Sequence, residues 1–246
     1  TGVTTDYSVV KDLKKYACGF SNLNDLLRVK KLITKINNAS KFSKPLVISG
    51  AGPTGVELAC KVSDMLNNKV EIYLIDKADK ILAQSKSFNR EKAILAINKR
   101  NIKMYLEHYI TSINETFLEL STCDKKENES LIIHYSGLLW TSGLRPSPLK
   151  ILHTFLDSNK KIKVNKYLQI NHYENIFCIG DISCFENAPF PSSAQVAMQQ
   201  GFLAAHNIIN LRNGNKIKSF EFEDLGEMLS LGIGNASITG YGITLA

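Results

Sequence analysis

The residues best suited to chemistry begin at Gly50-Ala51-Gly52-Pro53-Thr54-Gly55, a G-x-G-x-x-G turn. The pattern is weak alone, but it follows the apolar run Pro45-Leu46-Val47-Ile48 and opens a helical stretch from Thr54 to about Leu66. In that setting Gly50 makes the tight turn, Gly52 lets backbone approach a pyrophosphate and Gly55 lets helix and strand pack closely. The helix N-terminus then offers free N–H groups and a partial positive charge to phosphates. Asp76 lies 21 residues beyond Gly55, where a carboxylate accepts ribose hydroxyls and repels a 2′-phosphate. That favours NADH, although Lys77 and Lys80 keep NADPH open. Glu57 lies in the first helical turn, where it either complements the dipole or acts in the site. Gly180-Asp181 follows another apolar run and reads equally as a strand end or as a place where an Asp meets the sugar-alcohol hydroxyls of a cofactor. Gln195 and Gln199, four apart, share one helix face and could bind a carbonyl-bearing ring. A solvated stripe, or a cap to a neighbouring loop, is the commoner use of such a pair.

These residues need elements to place them. Helices are expected at Ser21 to Asn37, capped by Ser21, at Thr54 to Leu66, at about Phe88 to Lys99 and at Ser193 to Leu211. Strands are expected at 45–48, 70–75, 103–106, 117–120, 131–135, 138–140 and 176–179, the last of buried type. Strand, glycine turn, helix and strand make a βαβ unit. The polar stretch 124–129 reads as a solvated hairpin tip, Gly143 with Pro146 and Pro148 as a crossing loop, and the boundary between domains falls near Gly137.

Composition narrows the class. With 44% hydrophobic and 22% charged residues the chain is globular rather than disordered. The net charge of +7 comes from scattered lysines, without the basic, aromatic-interleaved stripe that single-stranded nucleic acid requires, so no nucleic-acid partner is expected. Five cysteines without a CxxC pair indicate a reduced compartment. Five scattered histidines make no metal-ligand pattern, and no apolar run is long enough to span a bilayer.

Taken together, Gly50 to Ala59, Trp140-Thr141-Ser142-Gly143, Ile176 to Asp181 and Ala194-Gln195-Val196-Ala197-Met198-Gln199 resemble, in order and spacing, the type II NAD(P)H:quinone oxidoreductases. These are flavoproteins with two dinucleotide-binding domains. Leu225 to Gly232, with Ala236 and Gly240, is most similar to the cyanobacterial and plastid branch. The resemblance implies an α/β fold of glutathione-reductase-like architecture. A Rossmann-like NAD(P)H-binding domain would occupy residues 12–137, with 1–11 and 138–246 as the C-terminal part of a FAD-binding domain. It also implies a non-proton-pumping enzyme that passes hydride from NADH or NADPH to FAD and then two electrons to a plastoquinone- or phylloquinone-type substrate.

In that scheme Gly50, Gly52, Pro53, Thr54, Gly55 and Asp76 hold the nucleotide. Glu57 faces the nicotinamide–flavin region and helps relay protons to the quinone. Gly180 and Asp181 meet the ribityl chain of FAD, and Ala194, Gln195 and Gln199 lie beside the flavin ring at the quinone end. Trp140 to Gly143 cross back into the flavin domain. The full protein would sit peripherally on the cytoplasmic or stromal face of a membrane and could form a homodimer. The family's first FAD-binding glycine motif and its C-terminal amphipathic anchor have no counterpart here, so the sequence reads as a partial chain that binds FAD poorly by itself. The rivals are a two-domain flavoprotein reductase with another acceptor and a non-catalytic NAD(P)H-binding module. A disulfide or sulfide:quinone reductase needs paired cysteines, and Cys178 and Cys184 are the nearest pair.

Overall fold

The computed structural model describes residues 2–39, 44–124, 130–147, 153–185 and 190–246, so all of the expected hairpin tip at 124–129 but Asp124, together with Pro148, lies outside the described residues. In chain order the elements are Val3–Thr5 (β1), Leu13–Tyr16 (α1), Ala17–Cys18 (β2), Leu23–Asn37 (α2), Leu46–Ser49 (β3), Pro53–Met65 (α3) and Ile72–Ile75 (β4). Ser87–Asn98 (α4), Ile102–Tyr105 (β5), His108–Ile113 (β6), Phe117–Thr122 (β7), Ser130–His134 (β8), Gly137–Trp140 (β9) and Leu144–Pro146 (β10) follow. The remainder comprises Ile162–Val164 (β11), Ser183–Phe185 (β12), Ala194–Arg212 (α5), Glu227–Ser230 (β13), Ala236–Gly240 (β14) and Ile243–Leu245 (β15).

The chain forms two compact units, one of residues 5–143 with 226–246 and one of residues 1–4 with 144–225. These units divide the chain elsewhere than the expected domain limits: 5–11, 138–143 and 226–246 belong with the glycine-turn unit. The reason is pairing and packing. β9 hydrogen-bonds between β2 and β3, and Leu229 and Leu231 join the core around α3 and α4.

In the larger unit the sheet runs β2-β9-β3-β4-β5, all parallel. Alternation along each strand divides its side chains between two faces. Leu46, Ile48, Ile72, Leu74 and Leu139 pack under α2, α3 and α4, while Val47, Ile75, Leu138 and Trp140 meet the antiparallel meander β6-β7-β8. A strand buried on both faces reads as a continuous apolar run, which is why β3 and β9 were legible. β6 was not: a register shift between Ile110 and Ser112 breaks its alternation. The cap of α2 falls one residue later than expected. The Asn22 side chain accepts from the Asp25 N–H, and Ser21 donates to Asp25 instead.

The C-terminal sheet β13-β14-β15 turns polar side chains inward. Fully buried Asn89 donates to Glu227 Oε2 (2.8 Å) and Thr239 Oγ1 (3.2 Å) and accepts from Ser237 Oγ (2.5 Å). Arg100 makes a two-pronged ion pair with Asp64 (2.7 and 2.9 Å), and Asp64 Oδ2 also accepts the Ile233 N–H (2.7 Å). The Arg100 guanidinium beside Asp64 holds its carboxyl below the usual aspartate range. A lowered folded pKa gives stability that is complete above the unfolded value of about 3.9 and is lost as pH falls through the folded value. The melting-temperature advantage of the parent over Asp64→Asn is therefore expected to be largest above about pH 5 and to shrink below about pH 4. An advantage that persists to pH 2 would show that the carboxylate does not carry it.

In the smaller unit the parallel pair β11-β12 packs Ile162, Val164, Ile170, Cys178 and Ile182 together, and α5 packs Val196 and Ala204 against Leu168 and Phe220. The expected strand at 176–179 is not a regular strand. Phe177 makes a single bridge to Gln169, and Ile176 and Ile179 are exposed. The segment opposite turns tightly, with left-handed backbone at Leu168 and His172 (φ 71° for each), which confines the pairing to a short antiparallel contact: Ile170 N–H donates to Ile176 O and Cys178 N–H to Leu168 O (2.9 Å each). No described helix is long and apolar enough to cross a membrane.

Candidate functional site

At the carboxyl ends of β3, β4 and β9 lies a cleft of about 620 Å³, walled by Ser49, Gly50, Gly52, Asp76, Trp140 to Gly143 and the β6 residues His108 to Thr111. Ligands of open α/β sheets bind in this position. The glycine turn is fastened from several sides. Gly50 N–H donates to Ile75 O (2.7 Å), Leu82 N–H to Ala51 O (2.8 Å) and Thr141 Oγ1 to Ser49 O (2.8 Å).

Each glycine has its own reason. Gly50 has φ +108°, and a β-carbon there would lie 2.6 Å from Thr141 Oγ1. At Gly55 a β-carbon would run into the Gly50 carbonyl oxygen. Gly52 is different: its φ of −73° suits any residue and a β-carbon would point into open space. No neighbour obstructs a side chain there, so the backbone at Gly52 stands open to the cleft. Pro53 begins α3, where its missing N–H leaves no bond unmade. Pro53 and Thr54 are exposed in the first turn.

Asp76 does more than its spacing suggested. Its Oδ2 accepts the Ala51 N–H (2.5 Å) and its Oδ1 the Ala78 N–H (2.8 Å), so the carboxylate staples the end of β4 to the glycine turn. The Lys77 ammonium sits 4.9 Å from the Tyr109 ring centroid, a cation–π contact. Gly143, with φ +70°, is on the cleft wall. Glu57 is half-buried and off that wall, and its Oε1 accepts the Ser230 N–H at 2.8 Å. Sequence reasoning gave no individual role to Thr141, Ser142, His108 and Tyr109. Only the Trp-Thr-Ser-Gly segment signalled the first two; β6, unread as a strand, hid the others.

The remaining candidates belong to the smaller unit. Gly180 has φ +73° and starts a 3-10 turn that includes Asp181; its N–H donates to Gln200 Oε1 (2.6 Å). Ala194 opens α5 behind the Ser193 cap. Gln199 binds the Glu223 backbone through both its polar atoms (2.8 and 3.0 Å), and Gln195 Oε1 accepts the Leu225 N–H (2.9 Å). The pair thus serves as a clamp on the segment that follows α5. Two helical turns on, Asn207 repeats the device on Lys218.

All five cysteines are free, and burial pushes the Cys60 and Cys178 thiols up to about 11. That is a poor setting for thiolate chemistry. Among the described residues no cluster of three His, Cys, Asp or Glu could hold a metal.

A parallel sheet with a fastened glycine turn, a carboxylate ending the next strand and a cleft beyond both defines a Rossmann-like dinucleotide-binding fold. The chain belongs to the pyridine nucleotide-disulphide oxidoreductase family, whose pattern matches residues 1–201. It is similar to a demethylphylloquinone reductase of Synechocystis, with 33% identity over 239 residues that cover 95% of this chain and 58% of that protein. It is also similar to a type II NADH:quinone oxidoreductase of Staphylococcus aureus, with 30% identity over 203 residues, 76% of this chain and 49% of that one. The fold matches NDH2 of Plasmodium falciparum in complex with NADH, with a TM-score of 0.85 at 18% identity over 99% of this chain and 69% of that one. The chain spans about half the length of the curated relatives it matches.

Proposed function

We propose that this chain is the nucleotide-binding part of a flavin-dependent NAD(P)H:quinone oxidoreductase. The observation that carries the reading is Gly52, a glycine on the cleft wall at the start of α3 with open space beside its backbone. The pyrophosphate of NAD(P)H would lie against the Gly50–Gly55 backbone and the N-terminus of α3. Asp76 would face the adenosine ribose, its position fixed by the two amides it binds. With a carboxylate there and the Lys77 charge engaged on Tyr109, a 2′-phosphate is disfavoured and NADH is the preferred nucleotide.

FAD, when bound, would accept the hydride and deliver two electrons to a quinone. The residues present suit part of such a site: left-handed Gly180 gives close backbone approach and Asp181, half-exposed, offers a carboxylate to ribityl hydroxyls. Gln195 and Gln199 would act on the quinone end by fixing the 223–225 segment to which they are bonded. Glu57 would carry protons toward the quinone. Peripheral attachment to a membrane and a homodimer belong to the same reading of the full protein.

Anaerobic stopped-flow of the full-length, FAD-loaded protein tests the proposal. Rapid bleaching of the flavin by NADH, faster than by NADPH, followed by reoxidation with a plastoquinone analogue is expected. Bleaching without reoxidation by quinone would assign another acceptor, and no bleaching would leave a binding module.

A further inference from the structure

Glu57 and Asp64 lie seven residues apart on α3, close to two helical turns, and therefore on one face. Each accepts a backbone N–H from the same short stretch: Ser230 donates to Glu57 (2.8 Å) and Ile233 to Asp64 (2.7 Å). Seven helical residues rise about 10.5 Å, and three residues of chain reach at most about 10–11 Å. The stretch 230–233 therefore lies along α3, held at both ends by its carboxylates. Gly232 makes that approach feasible. Its φ is +118°, and a β-carbon would collide with Asp64 and Arg100. The far side of the sheet is held by Asn89 through Glu227, Ser237 and Thr239, so the Ser230 N–H is fixed from both ends.

We propose that the C-terminal sheet β13-β14-β15 is the positioning element for the Glu57 carboxylate, acting through the backbone N–H of Ser230. The assignment rests on the reading of Glu57 as a proton carrier given above. A carboxylate on a flexible two-carbon arm samples several rotamers; a charge-assisted bond to a fixed amide selects one. The side chain of Ser230 has no part in this.

That distinction makes the test clean. Ser230 spends its N–H on Glu57 rather than on β14, and β13 is an edge strand, where proline is tolerated. In the full-length, FAD-loaded protein, Ser230→Ala should reoxidise with a quinone analogue at the parental rate. Ser230→Pro and Glu57→Gln should each slow reoxidation about tenfold or more, lowering kcat with little change in the KM for NADH. The double variant should be no slower than Glu57→Gln alone. Should Ser230→Pro fold poorly by thermal melting, Gly232→Ala displaces the same stretch and should show the same non-additivity with Glu57→Gln. Equal slowing by Ser230→Pro in both backgrounds would mean that the sheet acts on stability alone, and the proposal would fall. So it would if Ser230→Pro behaved as parent while Glu57→Gln was slow, an outcome that leaves the Glu57 reading intact. A parental rate for Glu57→Gln itself would instead remove the reading on which the proposal rests.

Discussion

Gly55→Ala is expected to unfold the nucleotide-binding unit at markedly lower temperature than the parent. The added methyl carbon has nowhere to go: it meets the Gly50 carbonyl oxygen, lies 2.8 Å from the carbonyl carbon and 2.9 Å from Thr141 Oγ1. Two of those atoms are backbone at the end of β3, which is bonded to β4 on one side and β9 on the other. Relief requires α3 to lift off the sheet, opening the core where Val56, Ala59 and Cys60 are fully buried. Overpacking typically costs about 1–3 kcal/mol, and a backbone collision belongs at or above the top of that range. For a protein this size 3 kcal/mol lowers Tm by roughly 6–12 °C. A Tm within about 2 °C of the parent would show that α3 is not seated against β3.

The same substitution three residues earlier should have the opposite profile. At Gly52 an alanine methyl enters open space and the backbone is already extended (φ −73°, ψ −175°). The substitution loses some N-cap preference, at most about 1 kcal/mol, partly offset by a stiffer unfolded chain. Stability should barely change. Nucleotide affinity should fall, because the methyl occupies the space through which a pyrophosphate reaches the backbone. A Kd for NADH raised tenfold to a hundredfold corresponds to about 1.4–2.8 kcal/mol. Calorimetric titration beside a melt separates the two quantities. An unchanged Kd would put the pyrophosphate elsewhere, whereas losses in both would make Gly52 a structural glycine like Gly55.

The sequence by itself determined the βαβ unit and the glycine turn, because both are local. Strand β3 opens on the apolar run Leu46-Val47-Ile48, the turn needs glycine at fixed spacing, and α3 starts where proline can begin a helix. It also determined that Asp76 ends the next strand, since helix and strand lengths fix that separation.

What only the tertiary structure decided is which partner each polar side chain meets. Asp76 staples the turn through Ala51 and Ala78, a bond across 25 residues that spacing alone does not reveal. Gln199 is claimed by the backbone of Glu223, and Glu57 by an amide 173 residues away. Residues 226–246 join the glycine-turn unit through Asn89 and Asp64, neither of which carries a motif. Periodicity records which face of an element is buried, because burial selects residue type along a helix or strand. A hydrogen bond between distant segments leaves no such trace. Asn, Asp, Glu and Gln serve equally well in water, in a cap or in a site, and the folded chain alone supplies the partner.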